Sequence, residues 1–299
     1  MGRARGVAGA GEWQAMLIDA HHHLWRPDRG YPWLDRPGLV ALRRDFWVAD
    51  LRAVIGPAGV SRTVLVEAGR EDAAEVTEFL AVAEAAEEIA GVVGWVDLTE
   101  PDLAGTLARH RAGPGGRLLV GARSQIQGEP DPDHLRRADV LAGLATVAAA
   151  GLAFDLVVRV DQLPAAAHAA AAVPQCRFVL DHLGKPAIAA GGYARWREAI
   201  APLARRPNVT AKLSGLVTEA DRARWTVADL RPYVATAYEL FGPNRLMFGS
   251  DWPVCLLAAP YPRVVAALAQ ALGELDPGER AAVWGGTAAR VYRLEGVDG

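Results

Sequence analysis

Histidines 21 and 23, in the run Leu17-Ile18-Asp19-Ala20-His21-His22-His23-Leu24-Trp25, are the residues best placed to do chemistry. A short apolar stretch reads as a strand that ends directly in histidine. Side chains alternate along a strand, so His21 and His23 share one face and His22 takes the other. Two imidazoles on one face at a strand end can hold a metal or polarise a substrate carbonyl. His22 has the wrong parity for that face and is read as packing or bonding behind the strand.

Polar residues recur where the other apolar runs stop: Glu67, Asp97, Arg123, Asp155, His182, Lys212 and Asp251. A charge buried there must be paired, coordinated or functional. Asp251, in Phe248-Gly249-Ser250-Asp251-Trp252-Pro253, is the strongest carboxylate. It can bind a metal, accept a proton from water, or do both in sequence. His182 joins His21 and His23 as a candidate catalytic group; His110, His134 and His168 fall in helical or loop stretches and receive no role.

Arg123 and Lys212 are candidate substrate-binding cations, and arginine can grip a carboxylate with two parallel hydrogen bonds. Ion pairs with Glu67, Asp97 or Asp155 are the competing reading for both, evenly balanced for Lys212. Gln125 shares the parity of Arg123 and adds a hydrogen bond to substrate. Trp25, Trp95 and Trp252 flank the same mouth, as walls for a sugar-like ring or as core filler. No Gly-x-Ser-x-Gly pattern surrounds Ser214 or Ser250, and neither Cys176 nor Cys255 has a base nearby in sequence. A water activated in place is therefore expected rather than a covalent nucleophile.

Eight short apolar runs must position these groups. They begin at Leu17, Thr63, Gly91, Leu118, Ala153, Arg177, Asn208 and Arg245, the last running through Asp251. Their continuous apolar character suits parallel strands covered on both faces. Amphipathic stretches separate them: 73–89, 102–111, 140–150, 163–173, 196–205, 228–241 and 261–272. The alternation predicts a single-domain (β/α)8 TIM barrel over residues 16–299, with an open doubly wound sheet as the alternative. No glycine-rich dinucleotide fingerprint follows a strand. Such barrels build their sites at the carboxyl ends of the strands. Closure sets strand eight beside strand one, and so Asp251 near His21 and His23. Residues 276–294 read as closing helices, with Gly285-Gly286-Thr287 as a turn and then a cap.

The remaining composition sets the partners. Lys and Arg number 32 against 35 for Asp and Glu, a net charge of −3, which argues against a phosphate-backbone binder. Two distant cysteines fit a reducing compartment and no disulfide scaffold. No run approaches the roughly 20 apolar residues of a membrane helix. A cytoplasmic protein is expected, without nucleic-acid or membrane partners, and a homo-oligomer is left open. Residues 1–15 are expected to be a disordered extension, with Met16 a candidate start.

An ordered set of motifs points further. It comprises Ile18 to Trp25, Tyr31-Pro32-Trp33-Leu34, Leu42-Arg43-Arg44-Asp45-Phe46 and Val93-Gly94-Trp95-Val96-Asp97. It continues with Asp181-His182-Leu183-Gly184-Lys185-Pro186, Lys212-Leu213-Ser214-Gly215-Leu216 and Arg245 to Val254. Together these resemble the amidohydrolase superfamily, in the amidohydrolase-2 branch of L-fuconolactonase-like and L-rhamnono-lactonase-like hydrolases. The resemblance implies a barrel hydrolase that opens a sugar-acid lactone. Asp251 would take the water proton while His21, His23 and His182 polarise the carbonyl, directly or through one divalent metal, zinc foremost. With Asp251, those histidines are the candidate metal ligands. The branch includes members thought to work without metal. Arg123 stands where metal-bridging residues occur in the wider superfamily, which argues against a binuclear centre, and Ser124 replaces a histidine frequent in the family. The alternatives are an amidohydrolase or decarboxylase acting on another small carboxylate, and a non-catalytic sugar-acid binding protein.

Overall fold

The computed structural model describes residues 16–295; the expected extension over residues 1–15 lies outside them. Eight strands follow one another in a single sheet: β1 (Leu17–His22), β2 (Val60–Val66), β3 (Ile89–Trp95), β4 (Leu119–Ser124), β5 (Ala153–Leu156), β6 (Arg177–Leu180), β7 (Val209–Leu213) and β8 (Leu246–Phe248). Every neighbouring pair is parallel. The strands are buried on both faces, as their unbroken apolar runs require. Ile18, Val64, Val66, Val93, Val120, Val179 and Met247 fill the interior. Leu65, Val92, Phe154, Phe178 and Phe248 face outward to the helices. Each such buried side chain contributes about 1.5–3 kcal/mol.

The helices are α1 (Val48–Ile55), α2 (Ala73–Ala85), α3 (Leu103–Ala112), α4 (Ala138–Ala149), α5 (Leu163–Ala172), α6 (Tyr193–Ala204), α7 (Leu216–Glu219), α8 (Val227–Phe241), α9 (Tyr261–Leu272), α10 (Pro277–Ala281) and α11 (Thr287–Tyr292). Asp72 starts α2 by accepting a hydrogen bond from the Glu75 amide at 2.8 Å, and Asp276 does the same for Glu279 in α10. Helices α1 and α7 were not among the sequence expectations. The Gly285-Gly286-Thr287 expectation is also corrected. Residues Ala282–Gly286 form a π-helical turn that runs straight into α11, so Thr287 is a helical residue rather than a cap. A Cβ at Gly285 would lie 2.1 Å from the Met16 carbonyl oxygen, which is why glycine stands there. Helix α11 covers the amino-terminal end of the barrel: Arg177, opening β6, donates to the Val291 carbonyl at 3.1 Å.

Closure between the last strand and the first decides the site. The expected strand over 245–251 is cut short after Phe248, and the chain beyond it makes the closing contacts. His22 and Trp252 form a parallel bridge. The Asp251 amide donates to the His21 carbonyl at 2.8 Å, and the His23 amide to the Trp252 carbonyl at 2.7 Å. Asp19 braces both segments. Its Oδ1 accepts from the Ser250 amide at 2.8 Å and the His21 amide at 3.1 Å, while Tyr261 donates to Oδ2 at 2.9 Å. Asp251 is thus held beside the histidines by backbone, leaving its carboxylate free for other work.

Candidate active site

His23, His182 and Asp251 line the floor of a cavity of about 890 Å³ at the carboxyl ends of the strands, and His21 lies fully buried beneath them. The Nε2 atoms of His21 and His23 are 3.2 Å apart. Asp251 Oδ1 is 3.5 Å from His23 Nε2 and 3.8 Å from His21 Nε2. The His182 ring packs on His21 with centroids 4.5 Å apart.

The outer ring nitrogens are each engaged. His23 Nδ1 lies 2.9 Å from the Val66 carbonyl, which only accepts, so Nδ1 carries a proton and Nε2 is the nitrogen that faces the site. His182 Nδ1 meets the Ser214 hydroxyl at 2.9 Å. His21 Nδ1 sits between Asp181 Oδ1 at 3.2 Å and Lys212 Nζ at 3.1 Å. Metal-ligating histidines are oriented by such partners on the far nitrogen. His21, His182 and Asp251 each offer a ligand atom within 4.8 Å of the others. The 3.2–3.8 Å spacings bracket the edge of about 3.4 Å that tetrahedral zinc bonds of about 2.1 Å would require. The donor set fits one divalent ion.

Burial sets the protonation states. Loss of solvent drives the His182 imidazole down to about 4, although Asp251 and Asp181 oppose it. Burial also holds His21 well below its ordinary value, against the pull of Asp181. Both are neutral at neutral pH. Burial alone would raise the Asp251 carboxyl; His182, His23 and Lys185 outweigh it, so the group stays below the usual carboxylate range. Neutral imidazoles beside an ionised carboxylate can ligate, donate a hydrogen bond or accept a proton.

The backbone under these groups is strained. Asp251 has φ +58°, and His182, Leu183, Gly184 and Lys185 are four consecutive left-handed residues at φ +52°, +52°, +72° and +53°. Each non-glycine residue there costs of order 1–3 kcal/mol, and such turns persist only where their surroundings over-determine them. Trp196 pins this one by donating Nε1–H to the Leu183 carbonyl at 2.7 Å. Gly215, at φ +66°, lies against it. A Cβ there would meet His182 Nδ1 at 2.5 Å and Asp251 Oδ2 at 3.2 Å. Gly215→Ala should therefore displace both groups, lowering kcat/KM at least tenfold and the melting temperature by several degrees. Unchanged kinetics with an unchanged melting curve would show that the site has slack there.

A family model described as amidohydrolase matches residues 18–294. The chain belongs to the amidohydrolase family. L-fucono-1,5-lactonase of Burkholderia multivorans is 42% identical to it over 294 residues, covering 94% of this chain and 97% of that protein. L-fucono-1,5-lactonase of Burkholderia ambifaria is 37% identical over 288 residues, with 94% and 97% covered. A crystal structure of an amidohydrolase from Burkholderia multivorans with bound zinc superposes at TM-score 0.88 and 39% identity, covering 94% of this chain and 100% of that one.

Several sequence expectations are corrected by the geometry of this amidohydrolase. Lys212 does not reach the cavity: it is fully buried, with Nζ 2.5 Å from Asp155 and 3.0 Å from Asp181. Arg123 does line the cavity, but Glu67 and Asp181 hold its guanidinium at 2.6 and 2.9 Å, and it donates again to the Glu67 carbonyl at 2.6 Å. The ion-pair reading fits both residues, and each leads back to the Asp181 carboxylate beside His21. Trp25, Trp95 and Trp252 do not line the cavity. Trp25 and Trp252 are fully packed, each edge-on to Phe46, and Trp95 packs on the main hydrophobic cluster. Trp33 forms the cavity wall instead, held by a 2.7 Å hydrogen bond from Nε1 to the Ala68 carbonyl. Asp97 points to solvent and caps its own turn through Thr99. Gln125 does line the cavity, donating to Glu67 at 2.5 Å and accepting from Gln127 at 2.9 Å. His22, as expected, bonds behind the strand, to Thr63 Oγ1 at 3.0 Å.

Proposed function

We propose that this amidohydrolase opens a sugar-acid lactone of the L-fucono-1,5-lactone kind to the free acid. The observation that carries the reading is Asp251, held below the usual carboxylate range on the floor of an open cavity, beside His23 and the two imidazoles of His21 and His182 that burial keeps neutral. The L-fucono-1,5-lactonases of two Burkholderia species, alike over nearly their whole length, support the choice of substrate. The cavity suits a polyhydroxylated ring: Trp33 offers an apolar face, and the amides of Gln125 and Gln127 offer donors and acceptors.

Lactone hydrolysis needs a polarised carbonyl, an activated water and a stabilised oxyanion. In this reading Asp251 takes a proton from the attacking water. The water oxygen bonds to the acyl carbon, the ring C–O bond breaks, and Asp251 returns the proton to the departing hydroxyl. His182 can donate Nε2–H to the carbonyl oxygen when the Ser214 hydroxyl donates to Nδ1. His21, His182 and Asp251, whose ligand atoms converge, are the residues that would hold a divalent ion, with His23 Nε2 beside His21 and Asp251 as a further candidate ligand, zinc being the ion bound in the Burkholderia multivorans crystal structure. Bound there, such an ion would polarise the carbonyl and acidify water.

A pH-indicator screen of aldonolactones, run with and without chelator beside elemental analysis, tests this reading. Acid release from L-fucono-1,5-lactone well above the spontaneous rate is expected. Retained turnover after complete metal removal assigns carbonyl polarisation to the histidines themselves, and loss restored by zinc assigns it to the ion. Carbon dioxide release from an aromatic acid without any lactone turnover would contradict the proposal.

A further inference from the structure

The cations that line the cavity are not equivalent. Arg123 is committed to Glu67 and Asp181, and Arg159 to Asp161 and the Gln127 carbonyl. Arg36, Arg195 and Arg222 are solvent-exposed, where their fields are screened. Lys185 is different. It is half-buried, and its ammonium makes no ion pair or hydrogen bond among the described residues. It ends the strained turn that begins at His182, at φ +53° and ψ +64°, and it precedes Pro186. A residue before proline is pushed toward extended backbone, so this conformation is doubly disfavoured. The turn nevertheless delivers both His182 and Lys185 to one cavity. The Lys185 charge acts on His182, Asp251 and Glu219.

The proposed reaction creates a need for such a group. A lactone is neutral, but its ring-opened product is a carboxylate, formed beside the buried carboxylate of Asp251. Two like charges held close together repel, and more strongly where burial lowers the dielectric than in water. We propose that Lys185 binds the carboxylate that ring opening generates, making the inner cavity a subsite for open-chain sugar acids as well as for lactones. Arginine at the same place would keep this function, whereas a neutral side chain of the same length would lose it. The inference rests on the lactonase reading, but its test does not need turnover.

Titration calorimetry with L-fuconate and with the neutral polyol L-fucitol separates charge recognition from general packing. Lys185→Met should weaken L-fuconate binding at least tenfold and leave L-fucitol binding within about twofold, while Lys185→Arg restores most of the affinity for L-fuconate. During lactone turnover, the inhibition constant of added L-fuconate should rise by the same factor in Lys185→Met, more than the lactone KM does. Should Lys185→Met fold poorly, Lys185→Gln repeats the comparison. L-fuconate affinity unchanged in the neutral variants overturns the proposal, as does equal loss of acid and polyol binding. If the wild-type chain binds L-fuconate through Lys185 yet opens no lactone, the lactonase reading fails and the carboxylate subsite stands. If it opens lactones with Lys185-independent L-fuconate binding, the reverse holds.

Discussion

Asp251→Asn is expected to lower kcat on an aldonolactone about 10³-fold, within the range for loss of a positioned general base. The fold should survive the change. The contacts that close the barrel at this residue come from its main chain, through the amide donated to His21 and the carbonyl that accepts from Cys255, both at 2.8 Å. Its φ of +58° is one that asparagine tolerates better than most residues. Asparagine also keeps the size of the side chain and one oxygen. The melting temperature should therefore stay within a few degrees of wild type while turnover collapses. A variant within tenfold of the wild-type kcat would remove Asp251 from the water-activating role.

Lys212→Met is expected to act on stability more than on substrate affinity. Methionine fills the volume of the stem but leaves Asp155 and Asp181 without the ammonium that sits 2.5 and 3.0 Å from them. Asp181 is held well below the carboxylate range against burial, chiefly by Lys212, and then by His21 and Arg123. Removing one partner of a buried ion pair costs roughly 3–5 kcal/mol, which for a chain of this size lowers the melting temperature by roughly 10 °C. Activity should fall as well, because Asp181 and Lys212 both bear on His21 Nδ1. A substrate-binding lysine would behave oppositely, with a raised KM and an unchanged melting curve. Differential scanning fluorimetry beside Michaelis kinetics distinguishes the two.

Much of the fold was legible because one physical pattern repeats. A strand covered on both faces must be apolar throughout, and eight such runs alternate with helices in the residue order that a barrel needs. Strand parity likewise separated His22, bonded to Thr63, from His21 and His23. The ends of elements were less legible. Strand β8 stops at Phe248 because the following segment closes the barrel by pairing with β1, a long-range contact that local periodicity does not report. Helix α1 is less legible for a related reason: it is only eight residues long, and its start is set by Asp50 Oδ2 accepting from the Trp47 amide at 3.0 Å.

The site divides in the same way. Parity can tell that Arg123 and Lys212 point inward, but whether a cation meets substrate or a carboxylate depends on which strands are neighbours and how deep each residue lies. Asp155 and Arg123 are register partners on β5 and β4, and Asp155 is further held by Tyr292 from the closing helix at 2.8 Å. Such a network joins residues 137 positions apart. The tryptophans show the converse. Those on or next to strands β1, β3 and β8 are packed away, whereas Trp33, in a single 3₁₀ turn between β1 and α1, faces the cavity. Lys185 carried one signal in its position three residues beyond His182, but only the left-handed turn reveals that both reach the same space.

The proposed lactone opening depends on Asp251 as its base. Its most direct test is pH-stat titration of acid released from L-fucono-1,5-lactone by wild type and Asp251→Asn in parallel, each corrected for spontaneous ring opening. Rapid saturable acid release by wild type is expected, and about 10³-fold less by the variant at equal fold stability. Acid release no faster than the spontaneous rate with wild type, or equal rates for the two proteins, would contradict it.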